Sequence, residues 1–197
     1  MKKIPLSEIY RKVIHSISIF IPLSYLWLIK DQSIMIIILT VLCSVSLFLE
    51  FLRNKSKTVK FLFNNMFIKM LRKNEKKGTL TGATWLLIGS LITTIFFPIY
   101  IVVPALIYLS IGDSFAAIIG KAYPYGKIGA KSITGSISGA LASSIFAISV
   151  NKILPIEIII IGSIIAMLIE IIPIKLNDNL TIPFISALVM NLSLNLL

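Results

Sequence analysis

The chain has 197 residues, of which 57% are hydrophobic and only 14% are charged, and its mean hydropathy is +0.96. This composition is too apolar for a soluble domain of that size and predicts an integral membrane protein. The net charge of +11 fits basic residues that flank membrane spans, so we expect a lipid bilayer with anionic headgroups as a partner and no nucleic acid.

Seven apolar runs have the length of roughly 17–22 residues that a helix needs to cross a bilayer core. They predict one membrane domain over residues 1–197, an all-α polytopic bundle of about seven transmembrane helices. Pro98 and Pro104 leave almost no loop between the third and fourth runs. The runs are 13–29, 33–52, 79–97, 99–119, 132–150, 155–173 and 180–197.

The lysines and arginines predict the orientation, because short cytoplasmic loops are enriched in them. With the N-terminus inside, seventeen of the nineteen basic residues fall on the cytoplasmic side, and only Lys30 and Lys152 fall outside. This arrangement puts the polar stretch 111–136 where nucleotides are available. We therefore expect a cytoplasmic N-terminus and a cytoplasmic active site in a prokaryotic cell membrane.

The basic segment at about 55–77 predicts an amphipathic helix that lies in the membrane interface and binds anionic lipid. A second role, the presentation of a lipid substrate, is also open. Its apolar face would hold Phe63, Met66, Phe67, Met70 and Leu71. Its polar face would hold Asn65, Lys69, Arg72, Lys73 and Lys76.

In the fifth run, Gly135 and Gly139 form a small-residue face suited to close helix packing. We expect this face to pack inside the bundle, and a homodimer remains the alternative.

Four carboxylates lie at the cytoplasmic ends of the apolar runs, where an ionisable side chain is a functional-site hypothesis. They are Glu50, Asp113, Glu170 and, at a boundary, Asp178. Glu50 has Arg53 three residues later, so a structural ion pair explains it equally well.

The stretch at about 112–136 combines Asp113 with glycines, hydroxyls and three lysines, which suits a divalent cation held against a polyphosphate. We predict a nucleotide-binding loop there. The sequence has no GxxxxGK[ST] or GxGxxG motif, which excludes the common soluble nucleotide folds. His15, close to Arg11 and Lys12, would usually be structural, although its cationic neighbours favour a functional role.

Three separated segments carry polar motifs in a fixed order. They are Arg11-Lys12-Val-Ile-His15; Gly112-Asp113-x-x-Ala116-x-x-x-Gly120-Lys121, with Gly126-Lys127 and Lys131-Ser132-x-x-Gly135-Ser136; and Glu170-x-x-Pro173 with Asp178-Asn179-Leu-Thr181-Ile-Pro183. In order and spacing these segments resemble the CTP-dependent lipid-alcohol kinases, which include dolichol kinase, phytol kinase and yeast-type diacylglycerol kinase. The resemblance is greatest to the phytol kinase branch.

The resemblance implies transfer of the γ-phosphate of CTP, with Mg²⁺, to the hydroxyl of a membrane lipid alcohol such as phytol, geranylgeraniol, a polyprenol or diacylglycerol. It implies that Asp113, Asp178 and His15 are catalytic, and that Asp113, Glu170 and Asp178 bind the metal. The residues that it implies for CTP are Arg11, Lys12, Gly112, Gly120, Lys121, Gly126, Lys127, Lys131, Ser132, Gly135, Ser136, Asn179 and Thr181.

The chain departs from the family pattern at three places. Asn177 stands where the family commonly has the first of two aspartates, so fewer carboxylates are available for metal. Thr134 stands where the dolichol kinase branch has glutamate, which argues against dolichol as the substrate. Pro124 and Tyr125 lengthen the loop before Gly126.

Two other functions are compatible with parts of this pattern. Phosphatidate cytidylyltransferases also use CTP and share an aspartate-containing span, but nothing in residues 170–197 matches their C-terminal signature. A transporter would also carry intramembrane charges, but some would lie near the midplane, whereas here they cluster at one face. This placement supports an interfacial enzyme.

Overall fold

The computed structural model describes residues 6–67, 70–173 and 176–196. The described part is almost entirely helical, as predicted, with one short antiparallel hairpin made of β1 (Lys127–Ile128) and β2 (Lys131–Ser132). The helices are α1 (Leu6–Ile17), α2 (Phe20–Ser24), α3 (Gln32–Lys55), α4 (Lys57–Met66), α5 (Lys73–Lys77), α6 (Gly82–Phe96), α7 (Ile99–Ile107), α8 (Asp113–Ala122), α9 (Ile133–Val150), α10 (Ile156–Ile171) and α11 (Asp178–Leu194).

Four helical segments are long and apolar enough to cross a membrane, which is compatible with an integral membrane protein. Two shorter apolar helices, α6 and α11, accompany them, and α10 has 16 residues. All seven predicted runs coincide with helical structure, but the number that spans the membrane stays a prediction. The four long segments are Glu8–Ile29, Gln32–Lys55, Ile99–Ala122 and Ile133–Val150.

The segment Ile99–Ala122 is the centre of the fold. In its most apolar window 78% of the residues are buried, against 17–22% in the other three long segments. A π-helical turn, Tyr108–Gly112, joins α7 to α8 without a break, and such turns are frequent at functional sites. Asp113 is the first residue after this turn, so the central helix holds its carboxylate inside the protein.

The small-residue face of α9 packs inside the bundle, as predicted. A Cβ atom added to Gly135 would lie 2.4 Å from the carbonyl oxygen of Ala116, and one added to Gly139 would lie 2.6 Å from that of Gly112. Both carbonyls belong to the central helix. The glycines therefore allow α9 to approach the central helix closely, while a homodimer stays an untested alternative.

Replacing Gly135 with alanine should destabilise the fold by about 2 kcal/mol or more, because the new methyl group overlaps backbone that can move only if α8 and α9 separate. The loss is measured as a lower thermal midpoint of the purified protein. Gly82→Ala is the matched control, since its Cβ would meet its nearest neighbour at an ordinary 3.5 Å. An unchanged midpoint for Gly135→Ala would show that the glycine has no packing role.

The structure corrects the single amphipathic helix predicted at about 55–77. Ser56 adopts an extended conformation that ends α3, and its side chain then caps α4 by accepting from the amide of Val59 at 3.4 Å. Because α4 ends at Met66, the segment contains two separate helices, α4 and α5. Part of the predicted polar face, Lys69, lies outside the described residues.

The ion-pair interpretation of Glu50 is confirmed. Nη2 of Arg53 lies 2.6 Å from Oε2 of Glu50, and both residues are buried. Oε1 of Glu50 accepts from the amide of Thr81 at 2.9 Å, while Arg53 donates to the carbonyl of Thr79 at 2.8 Å. The pair therefore joins the end of α3 to the start of α6 and has a structural role.

Candidate active site

Asp113 forms a buried ionic cluster with two residues of α1. Nζ of Lys12 lies 2.5 Å from its Oδ2, and Nε2 of His15 lies 3.0 Å from the same oxygen. Lys12 and His15 are three residues apart, so one face of α1 directs both towards α8. The first and second of the three sequence motifs therefore meet at one carboxylate.

The position of His15 also indicates which nitrogen carries its proton. Nε2 lies 3.0 Å from the carbonyl oxygen of Leu109 as well as 3.0 Å from Oδ2 of Asp113. Both neighbours are acceptors, so Nε2 must be the protonated nitrogen. His15 thereby orients the Asp113 carboxylate and ties it to the central helix.

A second cluster forms around Lys131 at the end of the hairpin. Its Nζ donates to Oδ2 of Asp178 at 2.8 Å, lies 3.4 Å from Oε1 of Glu170, and also donates to the backbone carbonyl of Glu170. Ser136 donates to Oε2 of Glu170 at 3.3 Å. The second and third motifs therefore meet at this lysine.

The charge of Lys131 is well supported by its surroundings. Partial burial lowers the pKa of its ammonium group, but the hydrogen bond to Asp178 and the charge of Glu170 outweigh burial and raise the pKa above its usual value. Lys131 therefore stays positively charged across the neutral pH range.

The two clusters border one polar cavity of about 510 Å³, within the usual size range of small-molecule sites. Asp113 and Asp178 are 65 positions apart in the chain, yet both line this cavity. The predicted convergence of the distant motifs is thus confirmed, although the role of each residue stays a prediction. The lining residues are Arg72, Trp85, Asp113, Lys131, Ile172, Pro173, Leu176, Asn177, Asp178 and Asn179.

A second cavity, also of about 510 Å³ but mainly apolar, extends from the first between α1, α3, α6 and the segment that contains α4 and α5. Phe63, Phe67, Met70 and Leu71 form its wall on that segment, whereas Met66 of the same predicted face is 76% exposed. Most of the apolar face predicted at about 55–77 therefore lines this cavity.

Three residues line both cavities, and we call them the junction: Arg72, Asp113 and Asn179. Asn179 is held there because its Nδ2 donates to the carbonyl of Gly82 at 2.7 Å. A ligand in the polar cavity and an apolar chain in the second cavity would meet beside the Asp113 carboxylate. This arrangement is suited to transfer of a group between a polar donor and a lipid acceptor.

The carboxylates of the polar cavity are suited to a metal ion that is held jointly by protein and phosphate oxygens. They are less suited to a metal ion that is held by protein side chains alone. Within residues 6–67, 70–173 and 176–196, no three His, Cys, Asp or Glu side chains gather closely enough to hold an ion. Mg²⁺ commonly takes one or two carboxylates together with phosphate oxygens and waters. Asp113 and Asp178 meet that requirement, since both face the polar cavity.

Several residues that the resemblance assigned to CTP have other contacts. Nζ of Lys121 lies 2.7 Å from Oε2 of Glu8. The other carboxylate oxygen of Glu8, Oε1, pairs with Arg11. Ser132 is buried and caps α9 by accepting from the amide of Gly135 at 3.2 Å. These side chains hold α1, α8 and α9 together.

The other loop residues also lie outside the lining of the polar cavity. Gly112 and Gly120 are tightly packed, because an added Cβ would lie 2.8 Å from Met167 and 2.7 Å from Ser132, respectively. Gly126 has a positive φ of 61° at the start of the hairpin, and Lys127 is exposed beside it. Within the predicted loop 112–136, Asp113 and Lys131 are the described residues that line the polar cavity.

In the third motif, Thr181 is buried and donates to the carbonyl of Asn177 at 3.4 Å. Asn177 also caps α11 by accepting from the amide of Asn179 at 3.0 Å. Asp178, as the first helical residue, is thereby directed towards Lys131.

Several residues at the site were not found from the sequence, and three of them are charged or aromatic. Glu8 pairs with Arg11 and Lys121, Arg72 belongs to the junction, and Trp85 lines the polar cavity. The i, i+3 spacing of Glu8 and Arg11 was a usable signal. No local sequence pattern could have identified Arg72 and Trp85 as site residues, because their position depends on how α5 and α6 pack over the cavities.

The chain is similar to the uncharacterized protein RP860 of the bacterium Rickettsia prowazekii (strain Madrid E). They are 29% identical over 181 residues, and the alignment covers 88% of each chain. No family model matches the chain, and no solved structure matches it.

Proposed function

We propose that the protein is a membrane kinase that transfers the γ-phosphate of CTP to the hydroxyl of a lipid alcohol. The observation that carries this proposal is the meeting of a polar and an apolar cavity at Asp113. The donor and the acceptor of such a reaction differ in polarity in the same way as the two cavities. The three motifs that resemble lipid-alcohol kinases meet at the same place.

The polar cavity is the proposed CTP site. Lys131 faces it with its charge retained. Phosphoryl transfer depends on positioning and on stabilising charge that shifts between oxygens, so it needs cations near the phosphates. Mg²⁺, when bound with CTP, would supply further charge neutralisation, and Asp178 is the residue of the polar cavity that would hold it while Asp113 serves as the proton acceptor.

The apolar cavity is the proposed site of the lipid chain. Its walls come from α1, α3, α6 and the segment with α4 and α5, and Lys12 and His15 line it in contact with the junction residue Asp113. A lipid alcohol whose apolar chain lies in this cavity would have its hydroxyl group at the depth of Asp113. In the proposed topology of seven spans with a cytoplasmic N-terminus, that depth is the cytoplasmic face of a bacterial cell membrane.

In the proposed reaction the alcohol oxygen forms a bond to the γ-phosphorus, and the bond from that phosphorus to the β–γ bridging oxygen breaks. CDP leaves with the bridging oxygen. The Asp113 carboxylate accepts the proton of the alcohol. Lys12 and His15 both contact Oδ2, so they hold the carboxylate in one orientation while Oδ1 lies outside these two contacts.

The purified protein with CTP labelled at the γ-phosphate should produce a labelled lipid phosphate and CDP. The acceptors to compare are farnesol, geranylgeraniol, phytol, a long polyprenol and diacylglycerol. We expect the single-chain alcohols to react faster, because the apolar cavity of about 510 Å³ has room for one chain more readily than for two.

Two other results would contradict the proposal. Release of pyrophosphate with formation of a CDP-lipid would identify a cytidylyltransferase. The absence of any CTP-dependent lipid product, together with uptake of a solute into vesicles that contain the protein, would identify a transporter.

A further inference from the structure

Arg72 is a junction residue whose guanidinium has no hydrogen bond or ion pair with any other residue that the structure describes. The other cations around the two cavities have carboxylate partners. Lys12 pairs with Asp113, and Lys131 pairs with Asp178 and Glu170. Arg72 is therefore the surplus positive charge at the point where the cavities meet.

The backbone of Arg72 is held in place although its side chain is exposed. The buried carboxylate of Glu75 accepts from the amide of Arg72 at 2.7 Å through Oε2. Through Oε1 the same carboxylate accepts from the amide of Gly82 at 3.0 Å. Glu75 thus fastens the start of α5 to the start of α6 and keeps Arg72 at the junction.

The surroundings of Arg72 on the two sides of the junction indicate which kind of ligand would carry an anionic group to it. On one side the wall is apolar. It includes Phe67 and also Leu71, the residue immediately before Arg72 in the chain. On the other side lies the polar cavity. A planar guanidinium matches the oxygens of a phosphate in two parallel hydrogen bonds. The matching ligand is a phosphate group at the end of an apolar chain.

We propose that Arg72 binds the phosphate of a lipid phosphomonoester whose chain occupies the apolar cavity. This inference rests on the proposed function, because the phosphomonoester is the product of that reaction. Arg72 would receive the phosphoryl group on the lipid side of the junction, while Lys131 holds the nucleotide phosphates on the other. Arg72 is thus a product-binding residue supplied by the segment that covers the lipid chain.

The test is a direct binding measurement on the full-length protein in detergent, with geranylgeranyl monophosphate and geranylgeraniol as probes. The wild type should bind the monophosphate at least about tenfold more tightly than the alcohol, since charge-assisted hydrogen bonds are the strong ones. Arg72→Ala should lose about ten- to a hundredfold of the affinity for the monophosphate while its affinity for the alcohol changes little. Arg72→Lys should retain part of the affinity for the monophosphate, because lysine keeps the positive charge but cannot donate two parallel hydrogen bonds to the phosphate.

Lys77→Ala is the matched control, since it removes an exposed cation from the other end of α5 and lines neither cavity. It should bind both probes as the wild type does. The affinity for CTP is measured in parallel and should change little in Arg72→Ala. A loss of CTP affinity with unchanged monophosphate binding would assign Arg72 to the nucleotide and overturn the proposal.

The binding measurement separates this inference from the kinase proposal. If the wild type shows no phosphoryl transfer but Arg72→Ala still loses monophosphate affinity, the anion site stands and the kinase proposal fails. If transfer occurs and Arg72→Ala binds the monophosphate as tightly as the wild type, the kinase proposal stands and this inference is wrong. Failure of the wild type to prefer the monophosphate over the alcohol would also overturn it.

Discussion

Asp113→Asn is expected to lower the rate of phosphoryl transfer at least about a hundredfold, because it removes the proposed proton acceptor from the meeting point of the two cavities. The measurement is the initial rate of label transfer from CTP to geranylgeraniol at saturating concentrations of both. A fully active Asp113→Asn protein would show that the reaction takes place elsewhere.

The same change leaves Lys12 buried without its carboxylate, so a loss of activity could also follow from a loss of stability. The double variant with Lys12→Met and Asp113→Asn removes both charges and should recover most of the thermal midpoint, but it should stay inactive. Asp31→Asn is the matched control, because Asp31 caps α3 at a site that lines neither cavity and asparagine caps equally well.

Lys131→Ala is expected to lower kcat/KM for CTP about a hundredfold, because its ammonium group is the fixed cation of the polar cavity. The effect should be smaller for Lys131→Arg, which keeps the charge. Steady-state rates at varied CTP and fixed lipid alcohol separate the change in KM from that in kcat.

Lys152→Ala provides the comparison for that series. Lys152 follows α9 and Lys131 precedes it, so the two lysines lie at opposite ends of the same helix. Lys152 is exposed and lines neither cavity. Equal activities for Lys131→Ala and Lys152→Ala would remove Lys131 from the site.

Much of the fold could be predicted from hydrophobicity alone, since long apolar runs need helical structure to satisfy their backbone in lipid. Pro98 correctly marked the boundary between α6 and α7. The single helix over 55–77 was wrong because α4 ends at Met66 and α5 begins only at Lys73. A serine whose side chain caps the amide three residues later was the local signal for the separate break between α3 and α4 at Ser56.

The glycine-rich loop shows why a motif alone does not define a site. Glycine permits close approach of any neighbour, and the sequence does not say whether that neighbour is a phosphate or a helix. At Gly135 the neighbour is the carbonyl of Ala116, and at Gly120 it is Ser132. Two of the predicted nucleotide contacts are therefore also packing contacts of α8 against α9.

The sequence by itself predicted a membrane protein and determined the helical runs and the identity of the main ionic residues, because hydrophobicity and charge within apolar runs are local properties. The tertiary structure alone decided which charges are partners. Lys12 and Asp113 are 101 positions apart, and Lys131 and Asp178 are 47 apart. The tertiary structure also places Arg72 at the junction of two cavities. A cavity forms only where separate helices leave the space between them unfilled, so its position is not a local property of the sequence.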